Sequence, residues 1–148
     1  MDQSSPQIPL ISVDEFRRIS DERLPFARMM GLVAERIEVD HTLVRAVYHD
    51  DFLRPGGTIA GPIMMAAADA ALYALVLSRI GPVELAVTTQ LNINFLRKPS
   101  PGDVLAEARA LKVGRRLVVG EVTLWSEADS RERAVAHATG TYSIPPGQ

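Results

Sequence analysis

The sequence predicts an α+β domain in which a mainly antiparallel β-sheet curls around one long central helix, with a short helix at its N-terminal side. Three observations carry that prediction. Residues 63–80 form an apolar run, and between Arg54 and Arg79 the only charged side chain is Asp69. Alanine, leucine and methionine dominate the run and favour helix, and a helix apolar on every side has to be buried. The segments after it alternate apolar and polar residues, the pattern of strands with one face on a core. The order of elements, finally, is short helix, two strands, long helix, four strands. With one sheet and one buried helix, the sheet has to wrap the helix.

The elements follow in order. Residues 1–11 read as a flexible tail, and 12–148 as a single domain. Ser12-Val13-Asp14-Glu15 matches a capping box, and Val13, Phe16 and Ile19 recur at helical spacing, which predicts a helix to about Glu22. Pro25 ends it or opens a turn. Residues 32–38 and 42–48 read as paired strands about the turn at Asp40-His41. Phe52 to Gly57 is a loop rich in breakers, Pro62 suits the first helical turn, and Gly81-Pro82 stops the helix. Residues 84–96 alternate strictly. Leu85, Val87, Leu91, Ile93 and Phe95 share one face, while Thr88, Gln90, Asn92 and Asn94 share the other. Strands over 104–113, 116–127 and 133–144 complete the sheet, joined by turns at Gly114-Arg115 and 128–132.

Composition bounds the function. The net charge of -2 argues against a general nucleic-acid binder. The absence of cysteine excludes disulfides and thiolate catalysis and fits a reducing, cytoplasmic setting. No secretory signal is visible at the N-terminus. Residues 59–77 approach the length of a membrane span, but Gly61, Pro62 and Asp69 interrupt them, and a charge mid-span is expensive, so a buried helix without membrane contact is the reading. His41, His49 and His137 lie apart without metal-ligand spacing, so no metal site is expected.

Asp69 is the sharp candidate for chemistry, because a carboxylate in an apolar helix is costly unless paired or used. A structural ion pair satisfies the same physics, and the two readings stand even. The turn Gly56-Gly57-Thr58-Ile59-Ala60-Gly61-Pro62 presents backbone N–H groups at a helix N-terminus, suited to developing negative charge. An ordinary glycine-rich cap is the plainer alternative. A basic set, Arg97 and Lys98 at a strand end with Lys112, Arg115 and Arg116 at a hairpin, suits phosphate where it converges. Solvated hairpin tips account for it equally well.

Taken together, Gly61-Pro62-x6-Asp69, the strand from Thr88 through Gln90, Asn92 and Asn94 to Arg97-Lys98-Pro99, Gly102-Asp103, and Lys112-Val113-Gly114-Arg115-Arg116 resemble the hotdog-fold acyl-CoA thioesterases. The resemblance is to the phenylacetate-degradation (PaaI-like) type within the 4-hydroxybenzoyl-CoA thioesterase-like superfamily, and it covers about residues 32–144. It implies an antiparallel sheet wrapped around one helix and a homodimer or dimer of dimers with active sites between subunits. It implies hydrolysis of a small or medium acyl- or aryl-CoA, with coenzyme A entering only as part of the substrate. Asp69 aligns with the family's general base or nucleophile, Gly61 with the amide that polarises the thioester oxygen, and Thr88 with the hydroxyl that orients water. Arg54, Arg97, Lys98, Gly114, Arg115 and Arg116 fall where coenzyme A is held. Met64, Met65, Leu72 and Tyr73 are expected beside the acyl pocket, since methionine adapts to varied apolar groups. Two positions depart from the family: Ala60-Gly61-Pro62 stands where many members have His-Gly-Gly, and Arg54 where many have Asn. Arg54 pairing with Asp69 across an interface is one expectation for that departure. A non-hydrolytic acyl-CoA-binding protein on the same fold is the alternative reading.

Overall fold

A computed structural model describes residues 8–147. The first helix, α1 (Val13–Arg23), starts where Ser12 Oγ accepts the Glu15 N–H at 3.1 Å, and it docks Phe16 and Ile19 into the core. Pro25 does not merely stop it. With its fixed φ it opens a second short helix, α2 (Pro25–Met29). The tail expectation needs a correction at its C-terminal end. Leu10 N–H donates to Ser78 O at 2.8 Å and Ile11 is 1% exposed, so the last part of 8–11 belongs to the core; residues 1–7 lie outside the described residues.

Strands β1 (Leu32–Glu38) and β2 (His41–Ala46) form an antiparallel hairpin about Asp40, which takes φ 62°. Aspartate tolerates that left-handed turn, and its carboxylate accepts Arg79 Nη1 from the end of the long helix at 2.6 and 2.8 Å. β2 ends two residues before the sequence predicts, and the Tyr48 N–H bonds the Asp103 carboxylate at 2.6 Å. A two-residue ribbon, β3 (Leu53–Arg54) with β4 (Thr58–Ile59), then leads into α3 (Gly61–Ile80). Ala60 caps α3 without a side-chain bond, Pro62 occupies the first turn, and Gly81 at φ 86° ends the helix.

Strands β5 (Val87–Phe95), β6 (Val104–Val113), β7 (Leu117–Ser126) and β8 (Ala136–Ser143) complete one antiparallel sheet in the order β1-β2-β6-β7-β8-β5. All six strands contact α3. Close approach of helix to sheet is permitted by small inward residues: Ala106, Ala108, Ala136, Ala138, and the cross-strand pair Gly120–Gly140. A Cβ on Gly120 would lie 2.7 Å from Leu72 Cδ2, and one on Gly140 2.5 Å from Leu72 Cδ1. Leu72 therefore fills a notch in the sheet.

Two features differ from the sequence reading. α3 passes for a membrane span by length and hydropathy and is mostly buried, yet it is not covered on every side. Gly61, Pro62, Met65, Ala66, Asp69 and Ala70 form a stripe that stays partly or fully open, because one sheet curls around only part of a cylinder. The alternation predicted over 84–96 also breaks. A bulge between Thr88 and Gln90 turns Thr88 away from the polar row and pairs it with inward-facing Tyr142.

Candidate active site

Asp69 sits two turns into α3, on the open stripe, half-buried rather than sealed in the core. Its neighbours come from two strands that the chain places far apart in sequence. The bulge in β5 aims Thr88 Oγ1 at Asp69 Oδ1, 2.6 Å away. From β8, the Tyr142 hydroxyl donates to the same Oδ1 at 2.8 Å and to the Asp69 main-chain oxygen at 3.1 Å. Among the described residues none bonds Oδ2. Burial pushes the Tyr142 phenol well above its ordinary range, and the negative charge of Asp69 adds to the shift, so the hydroxyl keeps its proton and serves as a donor. Tyr73 stacks on Tyr142 with centroids 6.0 Å apart and donates its hydroxyl to Glu84 O at 3.0 Å. Burial pushes the Tyr73 phenol up to about 12.

The carboxylate opens into a largely apolar cleft of about 340 Å³ between α1–α2 and the helix–sheet core. Phe16 and Leu24 line it from the N-terminal helices, Val44 from β2 and Tyr73 from α3, with Ser20 and the Arg23–Glu84 ion pair (3.4 Å) adding polar groups. Such an apolar cavity with one convergent polar cluster is the common form of a small-molecule site.

Gly61 lies elsewhere. Eight residues before Asp69, about 12 Å along the axis, it borders a second and more open depression of about 470 Å³ with Arg54, Met64, Phe95, Arg97 and Lys98. Of the first N–H groups of α3, Pro62 has none and that of Ile63 donates to Ala60 O at 3.1 Å, so the Gly61 N–H is what this end offers an anion. A Cβ on Gly61 would lie 3.2 Å from the tip of the half-exposed Phe95 ring, a contact that a small shift of the ring relieves.

The residues singled out from the sequence thus divide. Asp69, Thr88 and Tyr73 share the first cleft. Gly61, Met64, Arg54, Arg97 and Lys98 share the second, so Arg54 does not reach Asp69 within one chain. Leu72 is a correction: it is 2% exposed in the Gly120–Gly140 notch and lines neither cleft. Met65 projects from the open stripe with 39% exposure, outside both clefts of the single chain. Gly114, Arg115 and Arg116 form the β6–β7 turn, at the Val87 end of the sheet, as the pairings Leu117–Ser143 and Ser143–Val87 show. Arg97 and Lys98 follow the opposite end of β5, so the two basic groups do not converge in one chain. Sequence reasoning missed Tyr142. Its only signal was position, as the large inward residue that follows Ala136, Ala138 and Gly140 at period two. Among the described residues, no group of three or more His, Cys, Asp or Glu is placed to hold a metal ion.

Comparison with known proteins bears on this geometry. A family model described as the thioesterase superfamily matches residues 56–132, a span that includes both Gly61 and Asp69. A candidate thioesterase from Silicibacter sp. TM1040 is 39% identical and superposes with a TM-score of 0.83, over 95% of this chain and 96% of that one. A mutant of the phenylacetic acid degradation protein PaaI from Thermus thermophilus is 28% identical with a TM-score of 0.70, over 82% and 99% of the two chains. A candidate esterase of Saccharolobus solfataricus is 28% identical over 92% of this chain and 87% of its own length.

Proposed function

Because the chain belongs to the thioesterase superfamily and has the hotdog fold, we propose that it hydrolyses the thioester of a small or medium acyl- or aryl-coenzyme A to the free acid and coenzyme A. The observation that carries the reading is the Asp69 carboxylate at the wall of an apolar cleft, tied at Oδ1 and, among the described residues, unbonded at Oδ2. Oδ2 takes a proton from water as the water oxygen attacks the thioester carbonyl carbon; alternatively Oδ2 attacks directly and water then opens the resulting anhydride. The thiolate of coenzyme A leaves and takes the proton that Asp69 gained from water, which restores the carboxylate. Thr88 spends its proton on Asp69 and keeps oxygen lone pairs to accept a bond from the attacking water. The Gly61 N–H at the α3 terminus receives the oxyanion.

Asp69 and Gly61 lie in different clefts, so the reading requires two copies of the chain. β5 is an edge strand with Val87 57% and Phe95 51% exposed, and the open stripe of α3 runs beside it. A second copy pairing antiparallel along β5 covers that apolar surface and sets the Asp69 cleft of one copy against the Gly61 depression of the other. It also brings the Arg115–Arg116 turn of one copy to the same side as Arg97 and Lys98 of the other, supplying cations for the phosphates of coenzyme A. Self-association as a dimer or dimer of dimers, a cytoplasmic location, and no cofactor beyond the coenzyme A of the substrate belong to the same proposal.

Thiol release from a panel of acyl-CoAs tests it. Asp69→Asn should lose about 10²- to 10⁴-fold in kcat/KM. Equal rates for the two proteins would remove Asp69 from the chemistry. Thermal stabilisation by acyl-CoA without turnover across the panel would instead identify a binding protein, the reading that the departures at Ala60 and Arg54 favour.

A further inference from the structure

We propose that Tyr142 is the positioning residue that locks the Asp69 carboxylate in its reactive orientation. The inference deepens the hydrolase reading and rests on it. An aspartate side chain rotates freely about its terminal torsion, and the two carboxylate oxygens are chemically identical until the surroundings distinguish them. Here they are distinguished. Two hydroxyl donors, from Thr88 and Tyr142, converge on Oδ1, and Oδ2 receives none from the described residues. Thr88 alone leaves the carboxylate plane able to swing about one bond. The second donor fixes the plane.

Tyr142 is built for that task. It is 3% exposed, its ring is clamped against Tyr73, and its hydroxyl also bonds the main-chain oxygen of Asp69. One phenol therefore registers strand β8 both to the helix backbone at residue 69 and to the side chain of the same residue. A group held at both places cannot follow one without the other. The burial that keeps the phenol protonated also makes it a permanent donor across the range in which a carboxylate is ionised. A hydrogen bond from a buried hydroxyl to an ionised oxygen is among the stronger protein hydrogen bonds, and orientation of a reacting group is worth several factors of ten in rate.

The test combines kinetics with a spectroscopic signature. Tyr142→Phe retains the ring and its stacking. It should lower kcat about tenfold or more while KM for the acyl-CoA stays within about twofold. In the wild-type protein the Tyr142 hydroxyl proton, sheltered from exchange, should give a resolved downfield proton resonance that is absent from Tyr142→Phe. In Asp69→Asn that resonance should move upfield, because a neutral acceptor replaces a charged one. An unchanged kcat, or a rise in KM alone, would reduce Tyr142 to a packing residue. A resonance at the same shift in Asp69→Asn would show that the hydroxyl serves only the main-chain oxygen, and would overturn the proposal. If Tyr142→Phe does not fold, a Thr88→Val variant removes the other hydroxyl on Oδ1, and the resonance that persists in it and moves in Asp69→Asn is that of Tyr142. If wild type hydrolyses nothing in the panel, the hydrolase reading falls, while the resonance still decides whether Tyr142 holds the carboxylate.

Discussion

Leu72 and its two glycines give the most direct measure of how helix α3 is seated. Gly120 and Gly140 face one another across β7 and β8, and Leu72 Cδ1 lies 2.5 Å from where a Cβ would stand on Gly140. Carbon atoms prefer a separation of about 3.5–4.0 Å, so alanine at 140 drives its methyl about 1 Å too close. Leu72 is 2% exposed, and Gln90 O and Leu91 close the same space at 3.2 and 3.3 Å, so no easy retreat exists. Overpacking of this kind costs about 1–3 kcal/mol. Replacing a strand glycine returns about 0.5–1 kcal/mol of chain entropy. Gly140→Ala should therefore destabilise by up to about 2.5 kcal/mol, a fall in Tm of up to about 10 °C for a chain of this length. Leu72→Ala alone should cost about 2–5 kcal/mol through the cavity it leaves. Combined, the new methyl occupies part of that cavity, and the double variant should be more stable than the sum of the singles by about 1 kcal/mol or more. Urea and thermal unfolding, run at one fixed protein concentration, measure all three. Additivity within about 0.5 kcal/mol would refute the notch as the seat of the helix.

Two further outcomes follow from other parts of the molecule. Ile11→Ala should destabilise by about 2–4 kcal/mol in the same unfolding assay, as Ile11 is core; a loss within about 0.5 kcal/mol would return residues 8–11 to a loose tail. Acid should weaken the fold through Asp103 and Glu107. Burial by itself raises both carboxyls, but the Tyr48 N–H and Arg45 outweigh it at Asp103, and Arg131 with His41 at Glu107, so both are held below their ordinary 3.8 and 4.5. A depressed carboxyl contributes stability that is whole above the unfolded value and lost as pH falls through the folded one. The urea midpoint should therefore be insensitive to these groups above about pH 5 and decline below about pH 4. Arg131→Met should reduce that decline, and an unaltered pH profile in the variant would count against Glu107 as a source.

The layered plan is legible in the order of residues alone. One long apolar helix and six strand-length segments admit few arrangements other than a sheet wrapped around that helix, and β1 and the ends of α3 fall where periodicity and breakers place them. Asp69 was legible because a lone charge in an apolar run needs a reason. The start of α3 was legible because proline suits the first helical turn, and the family resemblance singled out Gly61 within it. What the sequence leaves undetermined is set by contacts between distant segments. Period two assigns Thr88 to the polar face, and only the pairing of β5 with β8 creates the bulge that turns it inward. Tyr142 is seventy-three positions from Asp69 and carries no local mark of its role. Leu72 and Tyr73 are neighbours on one apolar helix, yet one fills a notch in the sheet and the other lines the cleft. That choice belongs to where α3 lies against the sheet, and side-chain direction around a helix becomes inside or outside only once that position is set.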